Sequence, residues 1–259
     1  MWNRGAFLTL LISNCTLPAG TSNSAPMLRV AIGETKPPYI FSQEERGVEM
    51  ELLASLLQEA GYQTQMVYVP SKRAQMLLSI GAVDAAIGQR GDYLSQPYIA
   101  YQNVAVTLCS AHIVLKSVAD LTGRRIGAFQ NAHLFLGPGF ADIAIGNPNY
   151  RETPQASINR MLFARRIDVG ISDINIFKSI NDQLGMEAPT AEPWCVHALF
   201  PPTQYRLAFR DRGVRDRFDA ALKRALRRGR YESLAKRYRL PLVNGHPYFK
   251  PTSHYHGRR

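Results

Sequence analysis

With 259 residues, of which 46% are apolar and 20% charged, the chain has the composition of a folded globular protein rather than a disordered one. It is long enough for one large domain or for two lobes with a core each. The formal net charge of +11 is unevenly placed, because residues 204–259 hold 16 of the 31 basic residues and 4 of the 20 acidic ones, which leaves residues 1–203 near neutral.

The chain begins with the pattern of a secretory signal peptide. Arg4 is the only charge before an apolar run over 6–12, and small residues follow it. The run is too short to cross a bilayer but suits the apolar part of an export signal. We therefore predict a signal peptide over 1–25 and a periplasmic mature protein. Lipid attachment at Cys15 is the less favoured alternative, because asparagine precedes the cysteine where a small residue is expected.

Removal of the signal would leave two cysteines, Cys109 and Cys195. An even pair in an oxidising compartment is compatible with one disulfide, and two separate buried thiols are equally compatible with the sequence. The sequence has no Cys-x-x-Cys pair and no cluster of metal-ligating residues, so we predict neither a metal nor a cofactor.

The mature chain begins with an alternation of strands and helices. A strand over 28–33 ends at a loop stiffened by two prolines, which presents Tyr39. A helix over 48–60, a strand over 65–69 and a second helix with Arg73 in its first turn follow. This order predicts a parallel sheet with covering helices.

A helix, a tight turn and a short apolar strand occur twice. Residues 77–88 and 161–172 align without a gap, and a short apolar run after a helix is typical of a buried parallel strand. Gln89 and Arg90 follow the first strand, and Asp173 follows the second. Because open α/β sheets bind ligands at the carboxyl ends of their strands, these residues are candidates for a ligand site. Two such units predict two α/β lobes that face each other.

A turn is predicted over 120–123, and the first strand of the second lobe is predicted over 125–129. A helix opens immediately afterwards, around Asn131 and Ala132. The first amides of a helix have no partner within it, so this helix start is a candidate site for a carboxylate.

The last part of the chain is predicted to return through a strand-like stretch over 198–209 to a long helix over 213–238. Arginines cover the outward face of that helix, which is typical of a solvated surface, and we predict no nucleic-acid partner. Residues 245–259, rich in His, Pro and Tyr, are predicted to be a flexible tail.

Six short motifs occur along the chain in the order and spacing of a known family. They are Pro-Pro-Tyr at 37–39, Gly-Val-Glu-Met-Glu-Leu at 47–52, Gly-Ala-Val-Asp at 81–84, Ser-Gln-Pro-Tyr at 95–98, Asp-Leu-Thr-Gly-Arg-Arg-Ile-Gly at 120–127 and Tyr-Glu-Ser-Leu-Ala-Lys-Arg-Tyr at 231–238. With these motifs the sequence resembles the periplasmic solute-binding proteins of polar amino-acid ABC transporters (family 3), from Leu28 to about Leu240.

The resemblance implies an α/β protein with the two-lobed type II periplasmic-binding-protein fold, whose lobes are joined by two hinge strands and close on a ligand. The first lobe would comprise 27–108 together with 204–244, and the second would comprise 109–203. The resemblance further implies a small polar ligand such as an amino acid, the membrane subunits of an ABC transporter as partners, a monomer, and no enzymatic activity.

The family's ligand contacts carry over to four positions. Asp173 matches the aspartate that holds the ligand's α-ammonium in relatives, Asn131 and Ala132 match the helix start that helps to hold the α-carboxylate, and Tyr39 matches an aromatic position in the first loop. Each has an ordinary structural alternative: Asp173 could cap the helix that it starts, and Tyr39 could simply pack in the core.

The chain departs from the family pattern in the loop before residues 95–98. The loop that carries a carboxylate-clamping arginine in relatives is several residues shorter here, and Arg90 is the only arginine left in it. Arg73, which belongs to the helix start Pro-x-x-Arg-Ala over 70–74, is the second candidate for the clamp. A solvated surface position is the alternative reading of Arg73.

Two other functions are compatible with the same fold. A cleft enzyme of the cyclohexadienyl dehydratase type would need an acid or base in the cleft, for which Glu34 is the one candidate that we name. A ligand-sensing receptor without a transporter is the other, and the sequence does not separate it from a transport protein.

Overall fold

The computed structural model describes residues 25–88, 91–187, 192–240, 242–243 and 246–251. The strands are β1 (Met27–Ile32), β2 (Gln63–Tyr68), β3 (Ala85–Gly88), β4 (Tyr93–Leu94), β5 (Ile99–Tyr101), β6 (Asn103–Leu108), β7 (Ile126–Ala128), β8 (Tyr150–Glu152), β9 (Val169–Asp173), β10 (Trp194–His197), β11 (Thr203–Phe209), β12 (Leu242–Val243) and β13 (His246–Pro247). The α-helices are α1 (Val48–Glu59), α2 (Ser71–Ser79), α3 (Ala132–Phe135), α4 (Pro138–Gly146), α5 (Gln155–Phe163), α6 (Ile174–Glu187), α7 (Arg212–Arg227) and α8 (Arg230–Arg237).

The first sheet has the order β2-β1-β3-β11-β4, with β5 paired to the other end of β11. Strands β1, β2 and β3 are parallel, and β11 runs antiparallel to β3. Helix α1 covers this sheet with a row of fully buried leucines at helical spacing: Leu52, Leu53, Leu56 and Leu57. The predicted parallel sheet of the first lobe is confirmed.

The second sheet has the order β10-β6-β9-β7-β8. Strands β7, β8 and β9 are parallel, whereas β6 and β10 run antiparallel to their neighbours. The two sheets with their covering helices confirm the predicted α/β fold class. The carboxyl ends of β7, β8 and β9 lie side by side at one edge of this sheet, where ligand sites are expected.

The aspartates of the two repeat copies have the same structural role. Asp84 accepts a hydrogen bond from the amide of Arg29 at 2.8 Å, and Asp168 accepts one from the amide of Arg125 at 2.9 Å. Each carboxylate therefore ties the turn before its strand to the start of the neighbouring parallel strand.

Within the described residues, the chain passes between the two sheets twice. The first passage lies at Gln102, between β5 in the first sheet and β6 in the second, and the return runs from β10 to β11, which begins at Thr203. Strand β6, which the predicted boundaries assign to the first lobe, therefore belongs to the second sheet, and the boundary at position 108 is corrected to Gln102. Asn103 donates to the Thr203 hydroxyl at 3.1 Å and links the two passages.

The structure joins Cys109 to Cys195 in a disulfide with an S–S distance of 2.04 Å. Cys109 follows β6 and Cys195 lies in β10, which pair antiparallel with Cys195 opposite Thr107. The bond therefore fastens the two strands that flank the interlobe passages.

Helix α6 faces both lobes. Ile176, Ile180 and Leu184, spaced four positions apart on one face, join the buried cluster of the first lobe. Ile174 and Phe177 on another face join a cluster of the second lobe. The helix that begins after Asp173 thus provides apolar contact between the lobes.

The long C-terminal helix predicted over 213–238 is two helices. Helix α7 ends at Arg227, and Gly229, with φ of 70°, turns the chain into α8. A glycine tolerates this left-handed backbone conformation without steric cost. Phe218 and Leu222 of α7 are buried, as the helical pattern predicts.

Residues 246–251 pack against the body of the protein, which corrects the expectation of a flexible tail for this stretch. Phe249 has no exposed surface and lies with its ring centroid 5.8 Å from that of Tyr231 and 6.5 Å from that of Tyr39. Its carbonyl accepts from the amide of Ala100 in β5 at 2.9 Å. Tyr248 packs against the second-lobe cluster, so this segment contacts both lobes. Residues 252–259 lie outside the described part.

Candidate functional site

The loop after β1 brings Tyr39 against the second lobe. The Tyr39 hydroxyl donates to Asp173 Oδ2 at 3.3 Å and accepts from Asn175 Nδ2 at 2.9 Å, and all three residues are buried. The contact joins the loop after the first strand of one sheet to the end of β9 in the other. It therefore lies where the two lobes meet.

The start of α1 holds Tyr39 in this position. The amide of Glu49 donates to the Tyr39 carbonyl at 3.0 Å. Gly47 has φ of 131°, and a Cβ atom there would clash with the same carbonyl oxygen. Only glycine permits this close approach, which explains the position of Gly47 before the helix.

The carboxylate of Asp173 is surrounded by donors of the chain itself. The amides of Asn175 and Ile176 donate to Oδ1 at 2.9 and 3.1 Å, so Asp173 caps α6. The amide of Gln102, at the first interlobe passage, donates to Oδ2 at 2.8 Å. With Tyr39 as a fourth donor, the cap and the interlobe contact share one carboxylate.

Burial raises the pKa of Asp173 to about 6, although the amide and Tyr39 hydrogen bonds pull in the opposite direction. In the unfolded chain this carboxyl would titrate near 3.8, so the folded state binds more protons between about pH 4 and 6. Ionisation of Asp173 therefore destabilises the fold. We expect its contribution to the free energy of unfolding to fall by about 3 kcal/mol as the pH rises through this window and to stay constant above it.

The variant Asp173→Asn tests this pH dependence, because it removes the titration and keeps a capping side chain. We expect the free energy of unfolding of the wild type, measured in urea, to fall relative to that of the variant between about pH 4 and 6. Other carboxyls and histidines are common to both proteins and cancel in the difference. Parallel pH profiles of the wild type and the variant would show that the pKa of Asp173 is the same in the folded and the unfolded protein, which would contradict the prediction.

A buried aromatic cluster with one carboxylate lies behind Tyr39. The ring of Tyr39 stacks on that of Tyr101 with centroids 4.4 Å apart, and the hydroxyls of Tyr98 and Tyr101 each donate to Glu49 at 2.5 Å. Burial, with the Glu49 charge as second cause, raises the pKa of both tyrosines well above the usual value, so both remain donors. Sequence reasoning did not single out Glu49 or Tyr101. The motif over 47–52, which contains Glu49, was the feature of the sequence that could have drawn attention to this carboxylate.

Lys36 places a cation beside the same cluster. Its Nζ lies 4.3 Å from the centroid of the Tyr101 ring, and the side chain is partly buried. Burial lowers the pKa of Lys36, and the nearby Glu49 and Asp173 carboxylates offset part of that shift. Within the described residues Nζ has no hydrogen bond or ion pair. This residue was also missed from the sequence.

The predicted carboxylate site at the second-lobe helix start already holds a carboxylate of the chain. Glu152, at the end of β8, accepts from the amide of Asn131 at 2.8 Å, and its other oxygen contacts His133 Nδ1 at 2.6 Å and the Tyr150 hydroxyl at 2.8 Å. The amide of Ala132 donates to a backbone carbonyl within the turn. A ligand carboxylate would meet this helix start only after Glu152 moves away.

The structure describes one of the two arginine candidates for the carboxylate clamp. Arg73 is exposed in the first turn of α2, and Arg90 lies outside the described residues. Gln75, on the same helix, donates to the Ile87 carbonyl at 2.6 Å and so fixes α2 to the end of β3.

Within the described ranges, no group of three His, Cys, Asp or Glu side chains could hold a metal ion, and no helix is long and apolar enough to cross a bilayer.

Several solved structures share this fold at low sequence identity. A histidine kinase sensor domain with similarity to periplasmic binding proteins superposes with a TM-score of 0.66 at 16% identity over 83% of this chain and 96% of its own. The GluR0 ligand-binding core, in complex with L-glutamate, superposes with a TM-score of 0.64 at 15% identity and covers 83% of this chain and 99% of its own. An amino-acid ABC transporter substrate-binding protein from Streptococcus pneumoniae, bound to L-arginine, superposes with a TM-score of 0.61 at 15% identity and covers 82% of this chain and 94% of its own.

Among curated proteins, none matches the sequence significantly. The family model of the bacterial extracellular solute-binding proteins, family 3, matches residues 28–241, which is most of the chain. This match agrees with the resemblance found from the motifs and with the two-sheet architecture. The chain belongs to the bacterial extracellular solute-binding proteins of family 3.

Proposed function

We propose that this protein is exported and captures a small polar ligand, an amino acid or a related compound, between its lobes, for delivery to the membrane subunits of an ABC transporter. The observation that carries the proposal is the contact of Tyr39 with Asp173 and Asn175. A ligand bound beside it would touch both lobes at once. Such a ligand favours the closed arrangement through contacts that the open one lacks.

The proposed ligand contacts are the sequence candidates that flank this meeting point. Tyr39 would pack against the body of the ligand, and Asp173 would lie near any cationic group. The helix start at Asn131 and Ala132, with Arg73 or Arg90 from the first lobe, would face a carboxylate. The chain would act as a monomer, without a cofactor and without catalysis.

Export rests on the N-terminal pattern over 1–25, most of which lies outside the described residues, and on membership in a family of extracellular proteins. The disulfide between Cys109 and Cys195 supports an oxidising compartment.

A ligand-sensing receptor is the second candidate function. The observation that favours it is the likeness to a histidine kinase sensor domain and to the GluR0 ligand-binding core. Both candidates require ligand capture by the same cleft, so one binding screen serves both.

The first experiment is a thermal-shift screen of the purified protein against amino acids, polyamines, small carboxylates and oligopeptides. A ligand at a hundredfold excess over its dissociation constant stabilises the fold by about 2.7 kcal/mol, which raises Tm by roughly 5–10 °C in a chain of this size. We expect one chemical class to stabilise. A screen with no stabilising compound in any class would contradict capture of a small polar ligand.

A further inference from the structure

Both anchor points that the family pattern assigns to an α-amino acid are occupied by groups of the chain. Asp173, the expected partner of the ammonium, already accepts from three amides and the Tyr39 hydroxyl. The Asn131 amide, an expected partner of the carboxylate, is bound by Glu152. A ligand that needed both anchors would have to displace two internal interactions.

Lys36 is a cation at the interlobe contact whose charge has no direct partner among the described residues. The carboxylates of Glu49 and Asp173 each have their own donors, two tyrosine hydroxyls for the first and the four donors given above for the second. Lys36 Nζ, in contrast, has the face of the Tyr101 ring and no ion pair within the described part of the chain. A partly desolvated ammonium that makes no ion pair gains a charge-assisted hydrogen bond from an incoming carboxylate, against the repulsion of the nearby Glu49 and Asp173 carboxylates.

Asn175 supplies an unpartnered polar atom from the second lobe. One end of its amide is bonded to the Tyr39 hydroxyl, and the other, Oδ1, is buried without a hydrogen-bond partner. The residue is 1% exposed. If the amide flips so that its oxygen and nitrogen exchange places, the Tyr39 hydroxyl turns its single proton from Asp173, which keeps its three amide donors, to the Asn175 oxygen. The NH₂ group then becomes the free end, able to donate to a carboxylate. A ligand held by Lys36 and Asn175 would contact both lobes.

We propose that Lys36 selects the charge of the ligand, with Asn175 as its partner in the second lobe, so that the site takes small carboxylates that need no α-ammonium. This inference rests on the proposed function and narrows its ligand class. Neither residue belongs to the contacts that the family motifs imply for this chain.

The test compares matched compounds on the protein purified after expression of the full chain. Glutarate is paired with L-glutamate and 3-phenylpropionate with L-phenylalanine, and putrescine serves as a cation without a carboxylate. We expect at least one deaminated acid to bind as tightly as its amino acid or tighter, measured by calorimetric titration. We expect putrescine to give no binding.

Variants then assign the charge recognition to Lys36. Lys36→Met should weaken binding of the best carboxylate at least tenfold, and Lys36→Arg, which keeps the charge, should retain most of the affinity. Lys223→Met, on the exposed surface of α7, is the matched control and should bind as the wild type does. Circular dichroism and Tm verify that each variant is folded.

The outcomes separate this inference from the function on which it rests. Binding of amino acids or putrescine that is insensitive to Lys36→Met, or a strict requirement for the α-amino group, overturns the inference and leaves ligand capture standing. Absence of binding by every compound in the broad screen and in this set overturns both.

Discussion

Replacement of Cys109 and Cys195 by serine is expected to lower the free energy of unfolding by about 4.5 kcal/mol. The two cysteines are 86 positions apart, so the bond closes a long loop and removes much conformational entropy from the unfolded chain. The measurement is urea-induced unfolding of the double variant and of the wild type. This loss is large compared with the roughly 5–15 kcal/mol that stabilises an ordinary protein.

The wild type unfolded in the presence of a reductant is the matched control, because it breaks the same bond without a substitution. The reduced protein and the double variant should lose the same stability. A loss below about 1 kcal/mol in both, near the bottom of the range for disulfides, would show that the bond removes little conformational entropy from the unfolded chain. The single variant Cys109→Ser should behave as the double variant does.

Phe249→Ala is expected to lower the free energy of unfolding by about 3–5 kcal/mol, because it opens a cavity in a fully buried aromatic cluster. The ring lies between Tyr39 and Tyr231 and is held in place by the bond from the Ala100 amide to the Phe249 carbonyl. Urea unfolding measures the loss. Since Tyr39 loses a neighbour, we also expect weaker binding of whichever ligand the screen identifies.

Leu242→Ala is the control for this effect, since Leu242 is also an apolar residue near the C-terminus but is 53% exposed. We expect it to change stability by no more than about 0.5 kcal/mol, as is usual for surface substitutions. A Phe249→Ala variant as stable as the Leu242→Ala variant would mean that residues 246–251 detach from the body in solution, as a flexible tail would.

The short-range patterns of the sequence predicted the lobes well. Alternating strands and helices, with the repeat over 77–88 and 161–172, indicated the two α/β units that the structure contains. Their limits were harder to predict. The alternation of apolar and polar residues along β6 would be the same in either sheet, so only the pairing of β6 with β9 and β10 assigns this strand to the second lobe.

The interlobe contact was predicted only in part, because it depends on residues far apart in the chain. Tyr39 was named from the Pro-Pro-Tyr motif, and Asp173 from its place after the repeated strand and from the family resemblance. The two residues are 134 positions apart in the chain and in direct contact. Lys36, Glu49 and Glu152 were missed, since a charged residue in the sequence gives no sign that its side chain will be buried, as that of Glu49 is, or half-buried, as those of Lys36 and Glu152 are. Phe249 was missed because its His- and Pro-rich surroundings resemble a tail.

Small-angle X-ray scattering tests most directly whether the lobes close on a ligand, which is the central claim. The radius of gyration is measured for the purified protein without ligand and during titration with the compound that stabilises it best. We predict a smaller radius of gyration at saturation, with a midpoint that matches the calorimetric affinity. An unchanged radius with saturating ligand bound would contradict capture by lobe closure.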